Sequence, residues 1–588
     1  MSLLPTRGWS RLPAVLPALL AAFLVGGCER SAGPPAPPSG GVPVPEAQSE
    51  GAKIQLLYLC GNRFVVINHH PYPVPVTWRV DGTEEQGELT LRAAPAADPP
   101  FSEIEIAAAH QGRLALYRGE TLLAVQENER QACAPVTGDL TLAAAATNTA
   151  GSWSAPFSWP IVAVHLHLLK NGRVLAWGKF GDPYVFNPAN GGFAAEPVGA
   201  WIFCAGHAFL PNGRLLVAGG HIADGLGLPD THIYDVGSQT WQTGASMQRG
   251  RWYPTATTLP NGQVLVLAGT DQKFVNVGVP EIWTGSAWRA LTGANRVFPY
   301  YPRAFVGPDG RVFVAGEQKA SAWLNTAGAG GWTTGPSHIS GARDYGAAVM
   351  YLPGKILYVG GGRTLASAET IDLTVGSPAW KTTGSMAYPR RHLNATVLPT
   401  GEVLVTGGTR GTSFNEISLA VRVAEIWNPV TGAWRQVAGN AVNRGYHSTS
   451  VLLPDGRVLH AGSGNALDEN GNPWPDERNA EYYSPPYLFN GARPQISSAP
   501  NPVGYGQSFT VGTPDPGGVR KVSFVALGST THAFDMSQRF MWLDFTAVAG
   551  GISVKAPSSR NLAPPGFYML FLLNANNVPS KGKIIRLR

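Results

Sequence analysis

The chain has 588 residues, with 44 Lys and Arg against 38 Asp and Glu and no basic run, so a nucleic-acid partner has little to bind. Only 14% of residues are charged, while Gly (71), Pro (49) and Trp (17) are abundant. That balance argues against a helical or disordered chain and for a turn-rich, all-β, extracytoplasmic one.

The first residues read as a targeting segment. Arg7 and Arg11 precede an apolar run from Leu12 to Val25, which is short for a bilayer span. Gly26-Gly27-Cys28 ends it in the manner of a bacterial lipoprotein lipobox. Residues 1–28 are therefore expected to be a signal segment with Cys28 as the lipidated first mature residue, an ordinary signal peptide being the alternative. Both readings export the protein to the cell envelope, the first with a lipid anchor on a membrane, which includes the outer membrane or cell surface. Residues 29–52, rich in Pro, Gly and Ser, read as a linker.

Residues 53–135 carry short strand-like runs, at Gln55 to Cys60, Phe64 to Asn68, Val74 to Val80, Gly87 to Arg92 and Thr121 to Val125. They suggest a small β-sandwich that serves as a spacer or adhesion module. Cys60 and Cys133 flank it and are expected to pair in an oxidising compartment. His69 and His70 are adjacent, so a strand would point them to opposite faces, and a surface loop is the simpler reading. Cys204 has no partner left. A buried inert thiol is one reading of it.

Residues 151–490 repeat. Each unit is a strand, a turn with Gly, and a second apolar strand; the turn glycines are 172, 213, 262, 310, 354, 401 and 456. Their spacings, by subtraction 41, 49, 48, 44, 47 and 55, are those of kelch-like blades. Trp241, Trp288, Trp332, Trp380 and Trp434 recur late in the units. The expectation is a seven-bladed β-propeller in which stacked blades build the core. Residues 491–588, with strand-like runs at Val522 to Ala526, Met541 to Phe545 and Tyr568 to Leu573, suggest an immunoglobulin-like β-sandwich. Thr531-His532 lies between two of these runs.

Nine residues before each turn glycine stand Ala163, Cys204, Tyr253, Tyr301, Tyr345, His392 and His447. Cys, Tyr and His make up 35 of 588 residues, yet they fill six of these seven positions. The repeat places all seven on one rim of the channel. Aromatic packing alone could account for Tyr301, Tyr345 and His392. Phenolate and imidazole together suit tetragonal Cu(II). A bound cation would lower the phenol pKa from its ordinary value near 10. A thiol beside a tyrosine ring at an oxidising copper could also bond to that ring.

Four separated motifs resemble the galactose oxidase and glyoxal oxidase family of copper radical oxidases. These are Phe203-Cys204-x-Gly206, Arg251-Trp252-Tyr253-Pro254, Tyr446-His447-Ser448 ahead of Leu-Leu-Pro-Asp-Gly, and Thr531-His532 followed by Asp535-Met536-Ser537-Gln538-Arg539. The second is closest to the glyoxal oxidase branch. The resemblance implies one Cu(2+) per chain, held by Tyr253, Tyr446, His447 and His532. It implies a Tyr253–Cys204 thioether radical, with Tyr446 as the catalytic axial base. The activity implied is oxidation of a primary alcohol or aldehyde hydrate, with O2 reduced to H2O2. The chain departs from the family where galactose oxidase stacks a tryptophan over the cross-link: the stretch here reads Thr270-Asp271-Gln272-Lys273-Phe274. Trp252, Trp159, Phe298 and Tyr300 are the candidate substitutes. Galactose-binding side chains have no match.

Arg249, Arg303 and Arg391 lie near the rim, as substrate-binding groups or as solvated charges. The partners expected are a small alcohol or aldehyde and O2, with a glycan or cell-surface polymer as a further candidate, and a monomeric chain. The main rival reading is a non-catalytic surface kelch-propeller that binds or adheres. A propeller glycosidase would need paired carboxylates, and none of the seven rim positions is acidic.

Overall fold

A computed structural model describes residues 54–60, 63–68, 73–91, 102–108, 110, 113–126, 147–465 and 474–588. Cys28, His69, His70 and Cys133 fall outside the described residues, and with them the signal segment, the linker, the lipid site and the Cys60–Cys133 pairing. The chain divides into two compact units, Met1–Cys133 and Ala134–Arg588.

The first unit holds two sheets. Ile54–Cys60, Arg63–Asn68 and Ser102–Ala107 form one. Gln86–Leu91, Val74–Val80, Leu114–Arg118 and Thr121–Gln126 form the other. Ile54, Leu56, Phe64, Val66, Val76, Leu114 and Leu116 pack between them. Two of these strands, Ser102–Ala107 and Leu114–Arg118, add to those the sequence suggested.

In the second unit seven sheets follow the seven turn glycines. The first is built on His165–Leu168, Val174–Trp177, Tyr184–Asn187 and Gly192–Ala195. Five more repeat the antiparallel four-strand order, starting at Gly206–Phe209, Thr255–Thr258, Ala304–Val306, Ala347–Leu352 and Asn394–Val397. The seventh takes three strands, Thr449–Leu452, Val458–Ala461 and Asn479–Ser484, from the end of the repeat. Its outer edge is completed by Ser152–Trp153 and Phe157–Ser158 from the beginning. The first strand of sheet one lies against the first strand of sheet seven. Each turn glycine adopts positive φ, between 74° and 85°, where a Cβ would be strained.

The recurrent tryptophans sit on the outermost strands, and four of the five staple one sheet to the sheet before it; Trp380 packs on His338 instead, its buried indole N–H without a protein partner among the described residues. Trp241, Trp288, Trp332 and Trp434 donate their indole N–H to the carbonyls of Glu196, Ala245, Ala294 and Gly384, at 2.6–2.9 Å. Trp153 does the same to Ala438, at 2.7 Å, across the closing sheet. Each staple buries a large apolar surface while its polar edge stays satisfied.

The C-terminal residues form a sandwich of Ser508–Gly512, Gly551–Lys555 and Phe545–Val548 against Phe540–Trp542, Lys521–Ala526, Gly566–Leu573 and Lys583–Leu587. The run expected as one strand from Met541 to Phe545 is two strands, one in each sheet. The crossing occurs at Leu543-Asp544. One hairpin leaves the sandwich. Its strand Ser529–Thr531 pairs with His165–Leu168 and extends the first sheet at its inner edge, carrying His532 with it.

Candidate metal centre

The six non-alanine rim residues share a left-handed backbone. Their φ values are 60° (Cys204), 63° (Tyr253), 48° (Tyr301), 52° (Tyr345), 58° (His392) and 67° (His447). That conformation costs an L-residue roughly 1–2 kcal/mol. It aims amides at the neighbouring sheet. Tyr253 N–H donates to the Cys204 carbonyl at 2.9 Å, Tyr301 N–H to Tyr253 at 3.0 Å, and His392 N–H to Tyr345 at 3.0 Å.

Buried ion pairs hold this rim in place. Arg251, Arg343, Arg390 and Arg444 pair with Glu281, Glu369, Glu425 and Glu481 at 2.6–2.9 Å, all with almost no exposure. The guanidiniums also bond backbone carbonyls; Arg251 reaches Ala268 at 2.8 Å and Val279 at 2.7 Å. Sequence reasoning missed these pairs. The signal was present: an arginine two or three residues before Tyr253, Tyr345, His392 and His447, and a glutamate on the third strand of the same sheet.

Four side chains converge at the mouth of the channel. The hydroxyls of Tyr253 and Tyr446 meet in a short hydrogen bond. His532 Nε2 stands 3.1 Å from the Tyr253 hydroxyl. The rings of His447 and His532 lie 4.6 Å apart, near perpendicular.

The hydrogen bonds fix both tautomers. His447 Nδ1 is 2.6 Å from the Gly464 carbonyl. A carbonyl only accepts, so Nδ1 carries the proton and Nε2 a lone pair. That Nε2 is buried and has no protein partner. Thr531 donates its hydroxyl to the Val164 carbonyl at 2.8 Å, so its oxygen accepts from His532 Nδ1 at 2.6 Å. His532 Nε2 is left with its lone pair as well.

The turn that carries His532 is itself strained, with φ of 46° at His532 and 64° at Ala533, where hairpins prefer Asn-Gly. Asp535 secures it by accepting the amides of Ser529, Ser537 and Gln538 at 2.8–3.1 Å.

Burial keeps every one of these groups neutral. It pushes the hydroxyls of Tyr253 and Tyr446 well above the usual phenol range and the Cys204 thiol well above its own. His447 is lowered to about 3, chiefly by desolvation, and His532 is lowered in the same way. Two imidazole lone pairs and two phenol hydroxyls brought together in one cluster fit the donor set of a tetragonal cation. A cation there would release the phenol protons that burial retains. Among the described residues no group of three His, Cys, Asp or Glu could hold a metal, so a site here depends on the two phenols.

Cys204 is fully buried and free. Its amide donates to His165 Nε2 at 3.1 Å, and its carbonyl accepts the Tyr253 amide at 2.9 Å. Trp252 covers the Tyr253 ring, with centroids 3.8 Å apart and planes within 7°. Its indole N–H donates to His221 Nδ1 at 3.1 Å. Tyr300 meets the Tyr253 ring edge-on at 5.2 Å. Trp159 packs on Phe186 and Phe193, and Phe298 on Trp332. Of the four candidate covers, Trp252 is the one that stacks.

The other rim residues flank the centre. Tyr301 stacks on His532 and donates to the Ala205 carbonyl at 3.1 Å. Tyr345 and His392 pack against Tyr446. All three arginines are ion-paired; Arg303 and Arg391 are buried, while the Arg249 side chain stays exposed. Arg249 Nε donates to Asp271 at 2.7 Å, and Arg391 pairs with Asp344 at 2.7 Å. Arg303 is buried against the carbonyls of Tyr301 and Gly346 and lies 3.3 Å from Glu317.

Comparison with known proteins agrees with this geometry. Residues 493–587 match the family model "Galactose oxidase-like, Early set domain", and residues 361–487 match "Glyoxal oxidase N-terminus". A galactose oxidase from Gibberella zeae is 29% identical over 490 residues, covering 74% of this chain and 70% of that protein. The chain is thus similar to galactose oxidases and glyoxal oxidases. An "Aldehyde oxidase GLOX" from Vitis pseudoreticulata is 28% identical over 432 residues, covering 66% of this chain and 82% of that one. Among solved structures, a fungal alcohol oxidase described as in complex with copper superposes with a TM-score of 0.68 at 25% identity, covering 75% of this chain and all of that one.

Proposed function

We propose that the chain is a copper radical oxidase that converts a primary alcohol or aldehyde hydrate to the next oxidation level and reduces O2 to H2O2. The observation that carries this reading is the unpartnered, buried Nε2 of His447, whose ring packs on Tyr446 and His532 next to the paired hydroxyls of Tyr253 and Tyr446. The names of the relatives, galactose oxidase and aldehyde oxidase, point the same way.

His447, His532, Tyr253 and Tyr446 would hold the copper. When bound, the metal supplies a positive charge that acidifies the phenols and a one-electron acceptor. Tyr446, deprotonated, takes the hydroxyl proton of the substrate. Tyr253, joined to Cys204 through a thioether, would be the site of the radical that takes the carbon-bound hydrogen. Trp252 shields that ring from water and from stray reductants. Thr531 and the Gly464 carbonyl hold the two imidazoles in the tautomers that ligation needs.

Peroxide release in air by copper-loaded protein, across small alcohols and aldehydes, tests the reading. Turnover that vanishes in Tyr446→Phe supports it; peroxide release unchanged in that variant refutes the base. A purely adhesive propeller gives no reason for a polar, strained and orphaned cluster in its channel.

The segments outside the described residues enter the proposal as expected from sequence: export, a lipid anchor at Cys28, and a Cys60–Cys133 disulfide. Loss of lipid labelling in Cys28→Ser checks the anchor.

A further inference from the structure

The sheet-two repeat carries an addition at the rim. His221–Ala223 and Leu226–Gly227 form a small hairpin between its second and third long strands. The 271–275 loop of the next sheet leans on it: a Cβ on Gly225 would fall 1.9 Å from the Phe274 ring. Asp271 ties that loop by accepting the amides of Lys273 and Val275 at 2.9–3.0 Å.

The wall so formed is apolar and open to solvent. Phe180, Trp201, Ile222, Phe274 and Val275 are each 42–62% exposed. Phe274 also holds φ of 61°, a strained backbone for a bulky aromatic that gains little burial in return. The wall is continuous with the metal centre. Trp201 packs on His221 at 4.3 Å, His221 accepts from Trp252, and Trp252 stacks on Tyr253. Exposed apolar surface of this extent marks a binding face. The charges nearest it are Lys179, paired with Asp224 at 3.0 Å, Arg249, paired with Asp271, and the exposed Lys273 beside Phe274, which forms no ion pair among the described residues.

We infer that this wall selects the substrate: it takes the apolar body, alkyl or aryl, of a primary alcohol or aldehyde whose reacting carbon lies beside Tyr253. The inference rests on the oxidase reading and deepens it. A polyol or sugar would leave the wall dry and its own hydroxyls without partners.

The test is kcat/KM for peroxide release by the copper-loaded full chain across ethanol, 1-butanol, 1-hexanol and benzyl alcohol, with glycerol and galactose as polar comparators. Each methylene that reaches the wall raises kcat/KM about fourfold. The 1-hexanol to ethanol ratio falls on the order of tenfold in the exposed-site double variant Ile222→Ser/Phe274→Ser. A flat series, a preference for glycerol or galactose, or an unchanged ratio in the double variant overturns the inference while leaving the oxidase reading intact. No peroxide from any of these or from methylglyoxal overturns both.

Discussion

Arg251→Met strikes the link between fold and site. The guanidinium is fully buried and bonds Glu281 at 2.9 Å together with two carbonyls, and it stands two residues before Tyr253. Methionine keeps most of the volume but leaves Glu281, 2% exposed, without its cation. Breaking one half of a buried pair costs about 3–5 kcal/mol. Removing both halves with apolar residues of similar size is often near neutral. Urea unfolding of the second unit is therefore expected to show a loss of about 3–5 kcal/mol in Arg251→Met and recovery of most of it in Arg251→Met/Glu281→Leu. Copper affinity is expected to fall in the single variant, because Tyr253 loses the support that holds it at φ of 63°. A single variant within about 1 kcal/mol of the parent, or a double variant no better than the single, would refute the claim that these pairs hold the rim.

Thr531→Val removes the oxygen that fixes the His532 tautomer, and copper affinity in a chelator competition is expected to drop about 10–100-fold; unchanged affinity would mean the tautomer needs no such support. Trp252→Ala takes away the stack on Tyr253, and the radical signal after mild oxidation is expected to decay about two- to tenfold faster, from the worth of an aromatic pair. His207 is buried and lowered to about 3 against an ordinary value near 6.5. Its contribution to stability is fully present above about 6.5 and is lost as pH falls toward 3, by about 1.4 kcal/mol per pH unit. The acid limb of metal-free protein is expected to flatten in His207→Gln, and a limb of unchanged slope would contradict this.

The rim was legible in the sequence because the turn glycines mark one register in every repeat, and counting back from them lands on one structural position. His532 lies outside the repeat and was reached by family resemblance. No periodicity predicts that a hairpin from the sandwich will add to sheet one. The Arg–Glu pairs were written in the chain but span two strands, 30 residues apart for Arg251 and Glu281, so no local window joins them. Trp252 could not be chosen over Trp159, Phe298 or Tyr300, because adjacent residues in extended backbone face opposite ways. The left-handed φ at Tyr253 breaks that rule and brings the two rings face to face. The apolar wall was equally hidden. Phe274 sits in a loop and Ile222 in a short hairpin, where an apolar residue says nothing until its exposure is known.

The most direct test of the account is peptide mass analysis of the exported protein after copper loading in air. The Cys204 and Tyr253 peptides are predicted to appear joined, lighter than their sum by two hydrogen atoms. Separate, unmodified Cys204 and Tyr253 peptides from a copper-bound protein would contradict the radical oxidase.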